Sequence, residues 1–157
     1  MKSESPIKHF VFAFLIALVV YAAFYYGIEH RRTRNGPWIV TFTNTPAGRP
    51  SLVVNQPRLA LTNVRICFAG EAATNSDIPE TLIFAQPRQV PYPVPFGKCV
   101  FMDTTFLPGT VTFDLFGHEI ELLPRVMMID HEERPWRSGE VITLAPADSQ
   151  TNAAPPR

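Results

Sequence analysis

Residues 10–28 read FVFAFLIALVVYAAFYYGI, an apolar run with no charge in it. At about 1.5 Å of rise per residue a helix of that length covers roughly 28 Å, close to a bilayer's hydrocarbon thickness. A buried soluble helix rarely stays so apolar for so long, so the run predicts a transmembrane helix and the lipid bilayer as its partner. Residues 1–9 form a short, mildly basic tail before it. Val20-Tyr21-Ala22 offers a small-residue cleavage site, but the apolar stretch continues through Phe24, Tyr25 and Tyr26. That exceeds an ordinary leader core, so a retained signal-anchor is expected in a single-pass protein. Tyr25, Tyr26 and Trp38 stand where interfacial aromatics would. The small-residue pairs Ala13/Ala17 and Ala23/Gly27 fall about 80° apart on the helix, so no single dimer seam is indicated.

Lys2 and Lys8 precede the run, and Arg31, Arg32 and Arg34 follow it within a basic juxtamembrane linker, residues 29–36. The count of cations tips slightly toward a cytoplasmic C-terminus, yet long domains translocate largely regardless of nearby charge. The expectation is an extracytoplasmic domain. About ten residues join Ile28 to Trp38, at most roughly 35 Å when extended, which keeps that domain near the bilayer.

The remainder suits one small core. Of 14 Lys/Arg and 14 Asp/Glu, five cations and two acids precede residue 35, leaving a slightly acidic domain. No basic stripe is present, which argues against nucleic acid, whose phosphates need clustered cations. Cys67 and Cys99 read either as a disulfide, open to an extracytoplasmic domain, or as two buried thiols.

Residues 37–145 predict an all-β fold, a small antiparallel β-sandwich of about eight short strands, Ig-like or jelly-roll-like, behind the one N-terminal helix. Trp38, Val40 and Phe42 alternate with Ile39, Thr41 and Thr43 as a half-buried strand. The apolar parity then switches from odd (Leu59, Leu61) to even (Val64, Ile66, Phe68), which one regular strand cannot absorb, so a bulge or break is expected at Thr62-Asn63. Residues 87–97 (PRQVPYPVPFG) carry prolines that remove donors and exclude a central strand. Val111, Phe113 and Leu115 begin the clearest hairpin, with Gly117-His118 as its expected turn. Pro124 interrupts the returning strand, residues 131–136 read as a charged turn, and residues 146–157 as a disordered polar tail.

His118, Glu119, Glu121, Asp130, His131, Glu132 and Glu133 are the densest ionisable cluster, and mixed His/carboxylate sites suit Zn or Mn. No ligand spacing such as HExxH supports a metal there, and charged hairpin ends are ordinary surface. Asp114 and Glu121 could oppose one another across the hairpin, but a paired-carboxylate mechanism needs a cleft. No nucleophile elbow, phosphate loop or dinucleotide motif occurs, so neither an enzyme nor a cofactor is expected. Tyr92 and Phe96, on the proline segment, and Trp136 are the candidate partner contacts; for Trp136 a core-capping role with its indole N–H on a backbone carbonyl is the stronger reading. Taken together, the pattern points to a membrane-anchored, non-catalytic binding or assembly module, an accessory subunit beside another membrane protein. The alternative is a ligand- or metal-binding domain using residues 118–133.

Overall fold

A computed structural model of the chain describes residues 6–72 and 79–147. The chain divides at Arg34 into two compact units. The first is α1 (Pro6–Thr33), with no buried residue and a most apolar window of mean hydropathy 2.2, long and apolar enough to cross a membrane. Helix continues through residues 29–33, which were expected in the linker. His30, Arg31 and Arg32 lie in its last turn, where cations suit the negative end of the helix dipole. Thr33 Oγ1 also donates to the Glu29 carbonyl at 3.1 Å. Gly36, at φ 71°, and Pro37 follow, and the next element is a strand.

The second unit holds two sheets. In the first, β1 (Trp38–Asn44), β2 (Pro50–Gln56) and β3 (Leu61–Phe68) form a meander, β4 (Glu80–Phe84) joins the far side of β1, and β11 (Val141–Leu144) joins β3. The second sheet is one continuous meander of β5 (Tyr92–Val94), β6 (Gly97–Asp103), β7 (Thr110–Leu115), β8 (His118–Leu122), β9 (Val126–Ile129) and β10 (Glu132–Pro135). Among the described residues there are eleven strands, not the expected eight. β5 forms inside the proline segment because it is an edge, where a missing N–H costs nothing in the ladder. β10 forms in the supposed charged turn for the same reason. The sandwich is also not wholly antiparallel, since β11 returns from the second sheet and pairs with β3 in parallel.

Inward side chains alternate as the sequence pattern requires. Trp38, Val40 and Phe42 meet Phe113, Leu115, Ile120 and Leu122 from the other sheet, all fully buried. Phe113 sits between Phe42 and Phe84 in edge-to-face contacts of 6.0 and 5.4 Å. The expected parity break is a β-bulge: between the rungs Val54–Val64 and Gln56–Leu61, one residue of β2 opposes Thr62 and Asn63. Asn63 takes φ 54°, and its N–H donates to Asn55 Oδ1 at 2.8 Å. Gln56, buried, closes the start of the unit by donating from Nε2 to the carbonyls of Gly36 and Pro37 at 2.8 and 3.0 Å.

Pro124 interrupts no strand, because it lies in the turn between β8 and β9 that the Leu123 N–H to Val126 carbonyl bond closes at 3.1 Å. Cys67 and Cys99 are both unpaired and buried. Cys99 joins the core whereas Cys67, one residue out of step with inward Ile66 and Phe68, points to the outer face of its sheet. The sheet that carries Cys67 therefore lies between the two thiols. Residues 148–157 of the tail and 73–78 of the polar loop lie outside the described residues.

Candidate functional site

The hairpin cluster is organised around a buried histidine. The β7–β8 turn falls on Phe116 and Gly117, with φ 52° and 78°, and not on Gly117-His118. That places His118 on the inward parity of Ile120 and Leu122, 2 % exposed instead of at the surface. Its Nδ1 bonds Asp130 Oδ2 at 2.7 Å, and its Nε2–H donates to the Ala145 carbonyl at 2.9 Å. Asp130 Oδ1 accepts the Glu119 N–H at 3.0 Å, and the Asp130 N–H returns to the Glu119 carbonyl at 2.9 Å. Both imidazole nitrogens are thus engaged by protein oxygens. The arrangement ties the start of β8, the β9–β10 turn and the chain beyond β11 into one peg.

The other acids of the cluster point outward. Asp114 opposes Glu119, while Glu121 opposes Thr112, so Asp114 and Glu121 are not directly opposed. His131 reaches Glu119 only at 3.8 Å and is largely exposed. Among the described residues no group of three or more metal-ligating side chains converges. Burial, and then neighbouring Glu119, raises the Glu121 carboxyl above the usual range, with His131 opposing weakly. A carboxyl whose folded pKa is raised carries a penalty that is full above that pKa and vanishes below its unfolded value. Glu121→Gln is therefore expected to stabilise the β unit at pH 7, by less than about 1 kcal/mol for a solvent-screened pair, and to leave the melting temperature unchanged near pH 3. An equal gain at both pH values would show that charge is not the cause.

The three candidate contacts are only partly exposed. Trp136 packs on Trp38 at 5.2 Å and donates its indole N–H to the Leu123 carbonyl at 2.8 Å, the core-capping geometry. Phe96 lies against Phe42 at 5.8 Å and stacks on Phe116 at 5.6 Å. Tyr92 pairs with Cys99 across β5 and β6, and Arg88 sits 5.5 Å over its ring. Burial pushes both the Tyr92 phenol and the Cys99 thiol above their ordinary ranges, which leaves the thiol unreactive. Tyr92 and Phe96 share the β5–β6 hairpin at one end of the second sheet, whereas Trp136 follows β10 at the other end, so the three make no common surface.

What the pattern did not single out is the contrast between the outer faces. On the second sheet Asp114, Glu119, Glu121 and Glu133 outnumber Lys98, which pairs with Asp114 at 3.2 Å. On the first sheet the outward positions of all five strands carry one charge, Arg65. Ile39 and Ile83 are cross-strand neighbours there, Ile83 is 53 % exposed, and the hydroxyls of Thr41 and Thr81 bond at 2.9 Å. The signal was present as the odd positions of strands already read for their even ones. Ile83, Ala85, Gln86, Pro87 and Arg88 line a shallow hollow of about 210 Å³ at the end of β4.

β4 has one neighbour, β1, and its other side is open among the described residues. The Thr45 N–H donates to the Arg49 carbonyl one rung beyond Asn44–Pro50, which sets the phase of the β1–β2 ladder. Alternate rungs of an antiparallel pair bond, so odd residues of β1 bond β2 and even residues bond β4. Val40 opposes Leu82; hence the main-chain groups of Thr81 and Ile83 face the open side. No known protein family, curated protein or solved structure matches this chain.

Proposed function

We propose that the chain is a single-pass membrane-anchored, non-catalytic assembly module, an accessory subunit that docks on another membrane protein from the extracytoplasmic side. The observation that carries this reading is the uncharged outer face of the first sheet at β1 and β4, where Ile39, Thr41, Thr81 and exposed Ile83 border the open β4 edge. Solvated sheet faces normally alternate toward charged residues, as the other face of this sandwich does. A face kept neutral beside an unprotected edge suits contact with protein. The helix supports the reading by restricting the module to encounters in the membrane plane, which raises the effective concentration of any partner. The generic sandwich is enough for this role, whether or not its strand order is counted Ig-like or jelly-roll-like.

The test is purification of the C-terminally tagged full chain from its native membranes in mild detergent, with co-purifying proteins identified by mass spectrometry. A stoichiometric integral-membrane protein is the expected result. Recovery of the chain as a lone monomer in several mild detergents would overturn the proposal.

A further inference from the structure

We infer that two chains join through antiparallel β4–β4 pairing about a two-fold axis at Leu82, making one continuous sheet across the pair. This rests on the assembly-module reading and names one partner for it.

The observations are specific to β4. Natural edges are blunted by Lys, Pro or bulges, and β4 has none between Thr81 and Phe84. By contrast β5 contains Pro93 with prolines on both flanks, and β10 reads Glu-Glu-Arg-Pro. β11 is the other open edge of the same sheet, but Arg65 lies directly behind Val141 and Glu140 precedes the strand. The two outermost strands on the β4 side carry no charge at all on their outer face.

Register follows from the phase of the ladder. Thr81 and Ile83 hold the outward main-chain groups, and setting Thr81 of one copy against Ile83 of the other is the register that engages both residues of both strands, forming four backbone hydrogen bonds from strand residues alone. Leu82 then opposes Leu82, and the single charge, Glu80, falls opposite Phe84 and not opposite another Glu80. Ile83 is covered by the partner's Thr81 and continues the Ile39–Ile83 row. The symmetry closes the assembly at two copies, because each chain uses the same edge. A five-residue edge is far smaller than the roughly 800 Å² per partner of a stable soluble dimer, so membrane confinement supplies the missing concentration.

The test uses the full chain in nanodiscs or mild detergent. Thr81→Cys and Ile83→Cys chains, carrying different tags, are mixed and oxidised. Opposed residues on a bonded rung lie about 5.5 Å apart at Cα, within disulfide reach, whereas Thr81 to Thr81 exceeds it. The expected result is a cross-linked heterodimer in the mixture and none from either variant alone. Ile83→Lys should weaken self-association at least tenfold with unchanged circular dichroism and melting. Gly27→Leu on α1, where a side chain meets nothing within 4 Å inside the chain, should leave it intact. A wild-type monomer in nanodiscs, a dimer indifferent to Ile83→Lys, or loss of association in Gly27→Leu would overturn the inference. A co-purifying different protein alongside a monomeric wild type would overturn the self-pairing and leave the assembly-module reading standing.

Discussion

Gly109→Ala is expected to destabilise the β unit by about 4 kcal/mol, among the largest losses any single methyl could cause here. The residue holds φ 72°, where an L side chain is strained, and a Cβ would run into the Asp103 carbonyl oxygen. The backbone cannot simply retreat, because the Gly109 carbonyl accepts the Trp38 indole N–H at 3.0 Å. Trp38 is fully buried and packs against Trp136, so displacement of the β6–β7 connection spreads into that tryptophan pair. At roughly 4 °C per kcal/mol for a domain of this size, thermal unfolding followed by circular dichroism should fall by about 15 °C. A drop below 4 °C would mean that the connection relaxes without disturbing Trp38. Gly48→Ala is the internal control, having a similar φ of 76° but open space around it, and should cost much less.

His118→Ala is expected to cost about 3 kcal/mol, for a different reason. Removal of the ring opens a hole beside Phe68, 6.2 Å away between ring centres, and leaves two oxygens without their ring partner. One belongs to the Asp130 carboxylate, which keeps its bond from the Glu119 N–H, and the other to the Ala145 carbonyl. The Ala145 contact spans 27 residues of sequence and holds the end of β11 against the other sheet. Hydrogen exchange should therefore report the loss at Val141–Leu144 before it reports it at the core strands. His118→Gln, which can still donate one hydrogen bond, should recover part of the stability. Uniform loss of protection across both sheets would show that the histidine acts as filling and not as a peg.

Much of the fold was legible because its signals are local. The charge-free run of residues 10–28 writes helix directly, and the period-two alternation of Trp38, Val40 and Phe42 writes both strand and inward face. The irregularity at Thr62-Asn63 was visible for the same reason, since a parity change demands a bulge or a break, and the structure has the bulge. β5 and β10 escaped notice because proline and charge argue against strands in general, but not at the rim, and rim position is a property of the sheet. The hairpin turn was misplaced by one residue, and that slip inverted His118 from surface to core. The even positions His118, Ile120 and Leu122 carried the correct parity all along.

The chain by itself determines its elements and their inward faces, because helix length and strand alternation are set by neighbouring side chains. Only the tertiary structure decides that β4 and β11 are the edges of one sheet among the described residues, that Cys99 faces the core while Cys67 faces away from it, and that His118 meets Asp130 and Ala145. Each of those depends on which distant strands pair and in what register. No local pattern encodes that choice, because it is made by the collective burial of both sheets at once.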